Sequence, residues 1–326
     1  LRGTNITDRV STGRLATVTL NVTLDRVMLI SGFVPGNIYG VGDLTIYGSG
    51  KGLNVARAAI ALGGEVRVTG LVAGQCGQWI CDLLVTERIP ESFIRLPGGQ
   101  SRIATIVVDI ENRRTTVING PGPVVPPGAW PEICSTIDNS ITGFPWLALA
   151  GSAPPGVPDS AYADLCRRAR ARGQYVCVDA RDRWLAQALT AHPYLVKCNQ
   201  DEAAAVLGRR IDTLEQARDA AFEWAALGIP HVAITMGVQG AVAVAGQRAW
   251  HVQAPKIDAL CPIGSGDALM AGLIVALDRG APWPEAVRYG VAVGAANTLV
   301  PGSGYLDLQG LPDLLSRTAI HTIERG

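Results

Sequence analysis

The sequence predicts an α/β fold: a mostly parallel sheet covered by helices on both faces, with a small all-β addition. Two observations carry that prediction. Short apolar and β-branched runs alternate with longer helical patterns from Leu15 onward. Two stretches, roughly Val27 to Tyr47 and Phe93 to Ile118, break the alternation and read as strands and turns with no helix between them. Repeated strand, helix, strand order argues for a sheet covered on both faces, and such sheets bind ligands at the carboxyl ends of their strands. The site is therefore expected in loops that follow strands.

Taken in order, residues 1–14 are polar, lack an apolar h-region and read as a leader rather than a signal peptide. Strands are expected at Thr17–Leu20, Glu65–Leu71, Trp146–Ala150, Tyr175–Asp179, Tyr194–Lys197 and His231–Thr235. Helices are expected over Asp159–Ala171, Leu214–Leu227 and Asp267–Leu277. The two all-β excursions leave the core and return, so they are expected to pair as a small sheet standing over the site as a lid. The chain then divides into a core of residues 15–26, 48–91 and 119–326 and a lid of residues 27–47 and 92–118. The Pro/Gly-rich stretch Gly120–Gly128 connects lid to core.

Length and charge narrow the function. A chain of 326 residues fits one large domain, or one domain with an appendage. Apolar residues make up 48% and charged ones 17%, which excludes a disordered chain. Lys and Arg number 28, as do Asp and Glu, so no positive excess exists to draw in nucleic acid or an anionic membrane, and neither is expected as a partner. The apolar stretch Ala268–Leu277 falls well short of the ~20 residues that span a bilayer. The 7 cysteines form no C-x-x-C pair and are too sparse for a disulfide scaffold; as small core residues in a reducing compartment they point to the cytoplasm. The 4 histidines (192, 231, 251, 321) show no metal spacing, and no Gly-x-Ser-x-Gly elbow occurs, so zinc and serine-hydrolase chemistry lose support.

The most informative segment is Cys261-Pro-Ile-Gly-Ser-Gly-Asp267, a Gly-x-Gly turn running into an apolar helix. The first turn of a helix has unpaired N–H groups and a partial positive end, so Gly264, Ser265 and Gly266 could cradle an anion. Asp267 is then either an N-cap or a base beside that anion hole, and the second arrangement is what phosphoryl transfer needs. A second glycine cluster, Tyr47-Gly-Ser-Gly-Lys-Gly-Leu-Asn54, also opens a helix, with Lys51 and Arg57 adding positive charge. It fits neither the Walker nor the dinucleotide fingerprint, because position 46 is Ile, 52 is Gly and 53 is Leu. Further on, Lys197–Glu202 closes a strand and starts a helix, and Thr235–Gly240 turns after the next apolar strand.

In this order the segments resemble the ribokinase-like, PfkB-type sugar kinases, and within them the branch of 1-phosphofructokinase, tagatose-6-phosphate kinase and the minor 6-phosphofructokinase. The match runs from about Ala16 to Leu299. It rests on Thr19-Leu-Asn-Val-Thr-Leu-Asp25, Gly50-Lys-Gly-Leu-Asn-Val-Ala-Arg57, Asn119-Gly-Pro-Gly-Pro123 and Gly151-Ser-Ala-Pro-Pro-Gly-Val157, with Lys197–Glu202, Gly237–Gly240 and Gly264–Asp267.

The resemblance implies a three-layer core with a β lid, ATP and Mg²⁺ as cofactors, and transfer of the γ-phosphoryl group to a sugar hydroxyl. Asp267 would take the hydroxyl proton while the amides of Gly264, Ser265 and Gly266 hold the transferring phosphate. Asp25 would bind sugar hydroxyls with help from Asn54, beside Ser49, Gly50 and Lys51. Asn199 and Glu202 match the family's Asn-x-x-Glu element, Glu202 meeting Mg²⁺ through water. Lys197, Thr235, Gly237 and Gly240 would line the nucleotide, with Asn297 near the adenine end. Arg102 matches the lid arginine that grips a sugar phosphate, which favours a hexose phosphate: fructose 1-phosphate, fructose 6-phosphate or tagatose 6-phosphate. The resemblance also admits a monovalent cation near the anion hole and a homodimer formed through the lid.

Departures from the branch pattern gather on the sugar side. The usual Asp-Pro-Gly-Gly before the lysine is Tyr47-Gly-Ser-Gly50, the residue after Asn21 is Val22 rather than proline, and Ala104 replaces a common Asn. On the nucleotide side Cys198 stands for proline, and Cys261 for Asn or Thr before the anion-hole turn. Such changes alter which sugar fits, so a kinase of an unphosphorylated sugar or nucleoside stays as an alternative, with a non-catalytic ligand-binding relative behind it.

Overall fold

The computed structural model describes residues 13–324. Residues 1–12 of the expected leader lie outside them, and Arg14 already pairs with Glu65 in the large sheet. That sheet has ten strands. Seven run parallel: β1 (Arg14–Thr19), β4 (Glu65–Ala73), β5 (Glu91–Leu96), β8 (Trp146–Gly151), β9 (Tyr175–Ala180), β10 (Leu195–Asn199) and β11 (His231–Thr235). The antiparallel β12 (Ala241–Ala245), β13 (Arg248–Gln253) and β14 (Ala319–Ile323) extend one side, giving the order β14-β13-β12-β11-β10-β9-β8-β1-β4-β5.

Alternation along each strand feeds two cores, one per face. From β8, Leu147 and Leu149 enter the core under α3 (Trp130–Ser140), α4 (Ala161–Ala171), α5 (Asp182–Leu189), α6 (Gln200–Leu207) and α7 (Leu214–Ala226). Trp146 and Ala148 enter the other, under α1 (Lys51–Ala61), α2 (Gly74–Thr86), α8 (Ser265–Asp278), α9 (Trp283–Thr298) and α10 (Leu311–Ser316). Each fully buried leucine contributes roughly 1.5–3 kcal/mol by leaving water. Helix α8 is buried from Asp267 to Ala276, which fits a sequence apolar all round rather than on one stripe. The core is therefore the expected three-layer arrangement. No helix of the described residues is long and apolar enough to cross a membrane, and their seven cysteines are all free.

The amino-terminal ends of β8 to β11 carry a ladder of rings. Trp146 stacks on Tyr175 (4.8 Å between centroids), Tyr175 meets Tyr194 (4.6 Å), Tyr194 meets His231 (4.7 Å), and His231 meets Trp283 of α9 (4.7 Å). Burial holds the His231 imidazole below its ordinary pKa.

The small sheet contains β2 (Thr23–Ile30), β3 (Leu44–Ser49), β6 (Arg102–Asp109) and β7 (Arg114–Asn119) in the order β3-β2-β6-β7. The boundaries differ from expectation in several places, and Gly48, Ser49 and Asn119, expected in the core, end strands of the small sheet. Residues 91–96 pair with β4 as the edge of the large sheet, because this apolar segment continues a strand, helix, strand unit through α2. Residues 23–26, expected in the core, pair with β3 and β6, since the turn after Thr19 redirects the chain out of the large sheet. Val27, Tyr47, Ile106 and Val108 of the small sheet form a third apolar cluster with Cys261, and Ile263 packs against it. The roof is thereby fastened to the turn that opens α8.

Candidate active site

Between the small sheet and the carboxyl ends of the large sheet lies a cavity of about 440 Å³. Asp25, Ser49, Gly50, Lys51, Asn54, Arg102, Lys197, Asn199, Glu202, Thr235, Gly237, Gly264, Ser265, Gly266 and Asp267 all line it. Two expected residues do not. Asn297 is fully buried in α9, where its Nδ2 donates to the carbonyls of Gly302 (3.0 Å) and Tyr305 (2.7 Å) and its Oδ1 has no protein partner. Gly240 closes the turn before β12, where a side chain would collide with Val252 O, so its glycine answers a packing need.

Gly264 starts α8 in the left-handed region (φ 83°), and a Cβ there would come within 2.7 Å of Ser303. The helix begins at Ser265, and its first internal bond runs from Ala268 N–H to Gly264 O (2.9 Å). Ser265 N–H turns back to Pro262 O at 3.3 Å. The N–H groups of Gly266 and Asp267 find no acceptor within the described residues and sit at the positive end of the helix.

Asp267 is the third helical residue, and its side chain does not cap. Its Oδ2 accepts from Asn54 Nδ2 at 2.8 Å. Burial, with the nearby Asp179 charge, raises its pKa to about 6 against the pull of Lys51, Lys197 and Asn54. Such a carboxylate is ionised at neutral pH yet ready to accept a proton.

Sequence reasoning passed over Asp179, the last charged residue of β9. It is fully buried, and its two oxygens accept from Lys51 Nζ (2.7 Å) and Lys197 Nζ (2.6 Å). Burial alone would raise this carboxyl, but the two ammonium groups outweigh it and hold it below the usual range. An acidic residue ending the apolar run Tyr-Val-Cys-Val-Asp179 at the carboxyl edge of a parallel strand was the available signal. Lys51 Nζ also reaches Glu202 Oε1 at 2.7 Å. Asn199 and Glu202 form a capping box on α6: Asn199 Oδ1 accepts from Glu202 N–H (2.8 Å) and Glu202 Oε2 from Asn199 N–H (3.0 Å).

On the roof, Asp25 is buried and its pKa is raised by that burial, against Ser49, Thr23, Arg102 and Arg57. Asp25 Oδ1, Thr23 Oγ1, Arg102 Nε and Ser303 Oγ are buried with no protein partner, and all four residues line the cavity. Buried polar atoms are rarely left unpaired, so this group suits a polar, hydroxyl-rich ligand. Arg102 is otherwise held by a long contact from Nη1 to Asn119 Oδ1 (3.4 Å).

A three-layer α/β core with a β roof, a buried carboxylate beside helix-start amides, and unpaired polar groups on the opposite wall define a kinase of small carbohydrates. Residues 18–309 match the pfkB family carbohydrate kinases, and the chain belongs to that family. It is 35% identical over 291 residues to the 1-phosphofructokinase of Rhodobacter capsulatus, spanning 88% of this chain and 92% of that one. The structure of Escherichia coli phosphofructokinase-2 in complex with substrates and products is similar at a TM-score of 0.85 and 26% identity, covering 93% of this chain and 98% of that one. The same E. coli protein in complex with potassium matches at a TM-score of 0.85 and 25% identity, with the same coverage of 93% and 98%.

Proposed function

We propose that the protein transfers the terminal phosphoryl group of ATP to a hydroxyl of a hexose phosphate, fructose 1-phosphate foremost, with fructose 6-phosphate and tagatose 6-phosphate as the related acceptors. The observation that carries this reading is Asp267, a buried carboxylate that accepts from Asn54 Nδ2 at 2.8 Å and lies beside the N–H groups of Gly266 and itself at the start of α8. In the reaction the sugar oxygen forms a bond to the terminal phosphorus, the bond from that phosphorus to the bridging oxygen breaks, ADP departs, and the hydroxyl proton passes to Asp267. Lys51 and Lys197 add positive charge at the same place, and Asp179 holds both lysines there. Asp25 supports the sugar hydroxyls, and Arg102 supplies the cation for a phosphate the sugar already carries. Thr235, Gly237 and Asn199 line the nucleotide side.

Mg²⁺ takes one or two carboxylates together with waters and phosphate oxygens, and Glu202, whose side chain lines the cavity, suits that role. Among the described residues no group of three or more His, Cys, Asp or Glu could hold a metal, which suits an ion arriving on the nucleotide. When bound it neutralises charge on the phosphates. A monovalent cation near the α8 turn, a cytoplasmic location, and a homodimer formed through the small sheet complete the reading. Leu44 and Ile118, 43% and 61% exposed on that sheet's edge strands, support the last.

The test is ADP release over a panel of sugars and sugar phosphates, with and without K⁺, beside Asp267→Asn. The expected outcome is turnover on a hexose phosphate and a fall of about 10²–10⁴-fold or more in Asp267→Asn with ligand binding retained. Turnover only on unphosphorylated acceptors would replace the substrate; an undiminished Asp267→Asn would remove the base.

A further inference from the structure

We propose that Arg57 is a positioning residue for Asp267, acting through the side-chain amide of Asn54; this rests on the reading of Asp267 as the base. Arg57 lies in α1 and is buried at 6% exposure. All five of its N–H donors find acceptors. Nε and Nη2 grip Glu87 at 2.6 and 3.1 Å, Nη2 also donates to Gly48 O (2.8 Å), and Nη1 donates to Ser303 O (3.1 Å) and Asn54 Oδ1 (3.4 Å). The guanidinium further lies 4.9 Å from the Tyr305 ring centroid and 5.7 Å from that of Tyr47.

The chemistry turns on which way the Asn54 amide points. Its oxygen and nitrogen are nearly the same size, so the surrounding donors choose the orientation. Oδ1 accepts from Ser49 Oγ (3.1 Å) and Arg57 Nη1 (3.4 Å), which leaves Nδ2 facing the Asp267 carboxylate at 2.8 Å. Two donors at one end of the amide thus keep a donor at the other. Without Arg57 one of those constraints goes, and a flipped amide would set a carbonyl oxygen against the carboxylate. The same guanidinium holds Ser303, whose backbone packs on Gly264 at the start of α8, so it anchors both walls beside the base.

The amide is one of several influences on Asp267. Asp179 from β9 raises its proton affinity, and Lys51 from α1 and Lys197 from β10 lower it, as does Asn54. None of these groups except Asn54 touches Arg57. Loss of Arg57 should therefore move the acid limb of kcat upward by weakening the donor on Asp267, leaving the lysines and Asp179 in place.

The experiment measures kcat, KM for nucleotide and the pH profile of kcat in Arg57→Met and Arg57→Lys, each alone and combined with Asn54→Ala. Expected are a kcat loss of roughly 10–100-fold in Arg57→Met, an acid limb displaced to higher pH, little change in nucleotide KM, and partial recovery in Arg57→Lys. In the Asn54→Ala background Arg57→Met should add no further displacement of the limb. An unmoved limb in folded Arg57→Met, or an equal displacement in both backgrounds, overturns the proposal. Should Arg57→Met not fold, Arg57→Lys decides: it retains the charge but not the planar fork, and an unchanged kcat and limb there also overturns it. Activity surviving in Asp267→Asn would instead sink the assignment of the base, which separates the two failures.

Discussion

Lys51 Nζ and Asp179 Oδ1 lie 2.7 Å apart, an ion pair closed across 128 positions of sequence at the floor of the cavity. The second oxygen of Asp179 takes Lys197, so one carboxylate holds both lysines that face Asp267. Asp179→Asn should therefore lower the thermal midpoint, breaking a buried pair being worth about 3–5 kcal/mol. It should also shift the acid limb of kcat downward, because the Asp179 charge raises the Asp267 pKa and its removal leaves the lysines to lower it further. An upward shift would contradict this account of the site.

Asp267 itself links activity to stability with opposite signs. Its folded pKa of about 6 lies above the ordinary carboxylate value of 3.8, so its favourable contribution is complete only below the lower value and is lost as pH rises through the higher one. At pH 7–8 the ionised side chain costs stability, on the order of 1–3 kcal/mol. Asp267→Asn should accordingly melt higher than the native protein at pH 8 while losing turnover, and the gain should shrink toward pH 4. Thermal melts across that range check it.

Arg102→Ala tests the phosphate end of the acceptor. A hydrogen-bonded charge contact is worth ~1.5–3 kcal/mol, so KM for the phosphorylated sugar should rise about 10–150-fold with a smaller change in kcat. Weak turnover on the matching unphosphorylated sugar should be unaffected. Steady-state kinetics on the pair of acceptors decide it.

Gly264→Ala would place a Cβ 2.7 Å from Ser303, well inside van der Waals contact, on a backbone at φ 83°. We expect a displaced helix start, a fall of roughly 10²-fold or more in kcat, and a lower melting temperature. Native-like kinetics would show that the turn does not set the anion site.

At the far end of the sheet, His231 has a folded pKa below its ordinary 6.5 because it is buried among rings. Its contribution to stability is present above pH 6.5 and is lost as pH falls through the folded value. His231→Phe should flatten the fall of the melting temperature between pH 7 and 5 relative to the native chain, with activity at pH 8 little changed.

Much of this was legible in the primary structure for a physical reason. Glycine turns such as 264–266 and 47–50 are short-range signals, because a left-handed backbone or a close approach admits few other residues. Strand ends such as Lys197–Glu202 announce themselves by the change from apolar to polar. Asp179 did not, since its partners come from α1 and β10 and no local spacing encodes them. Arg57 was visible as a charge near a helix start, but its reach to Ser303, 246 positions away, is a property of the folded chain. Residues 92–96 were given to the roof because a strand pattern looks the same in either sheet; their pairing with β4 places them in the large one.

The apolar seam of Val27, Tyr47, Ile106 and Val108 against Cys261 and Ile263 joins roof and helix turn into one mechanical piece. On the proposed reading, a carbohydrate held by Asp25 pulls through this seam on the turn of Gly264–Asp267. Water, too small to pull on the roof, gains no such alignment, so the protein should squander little nucleotide while it waits for its sugar.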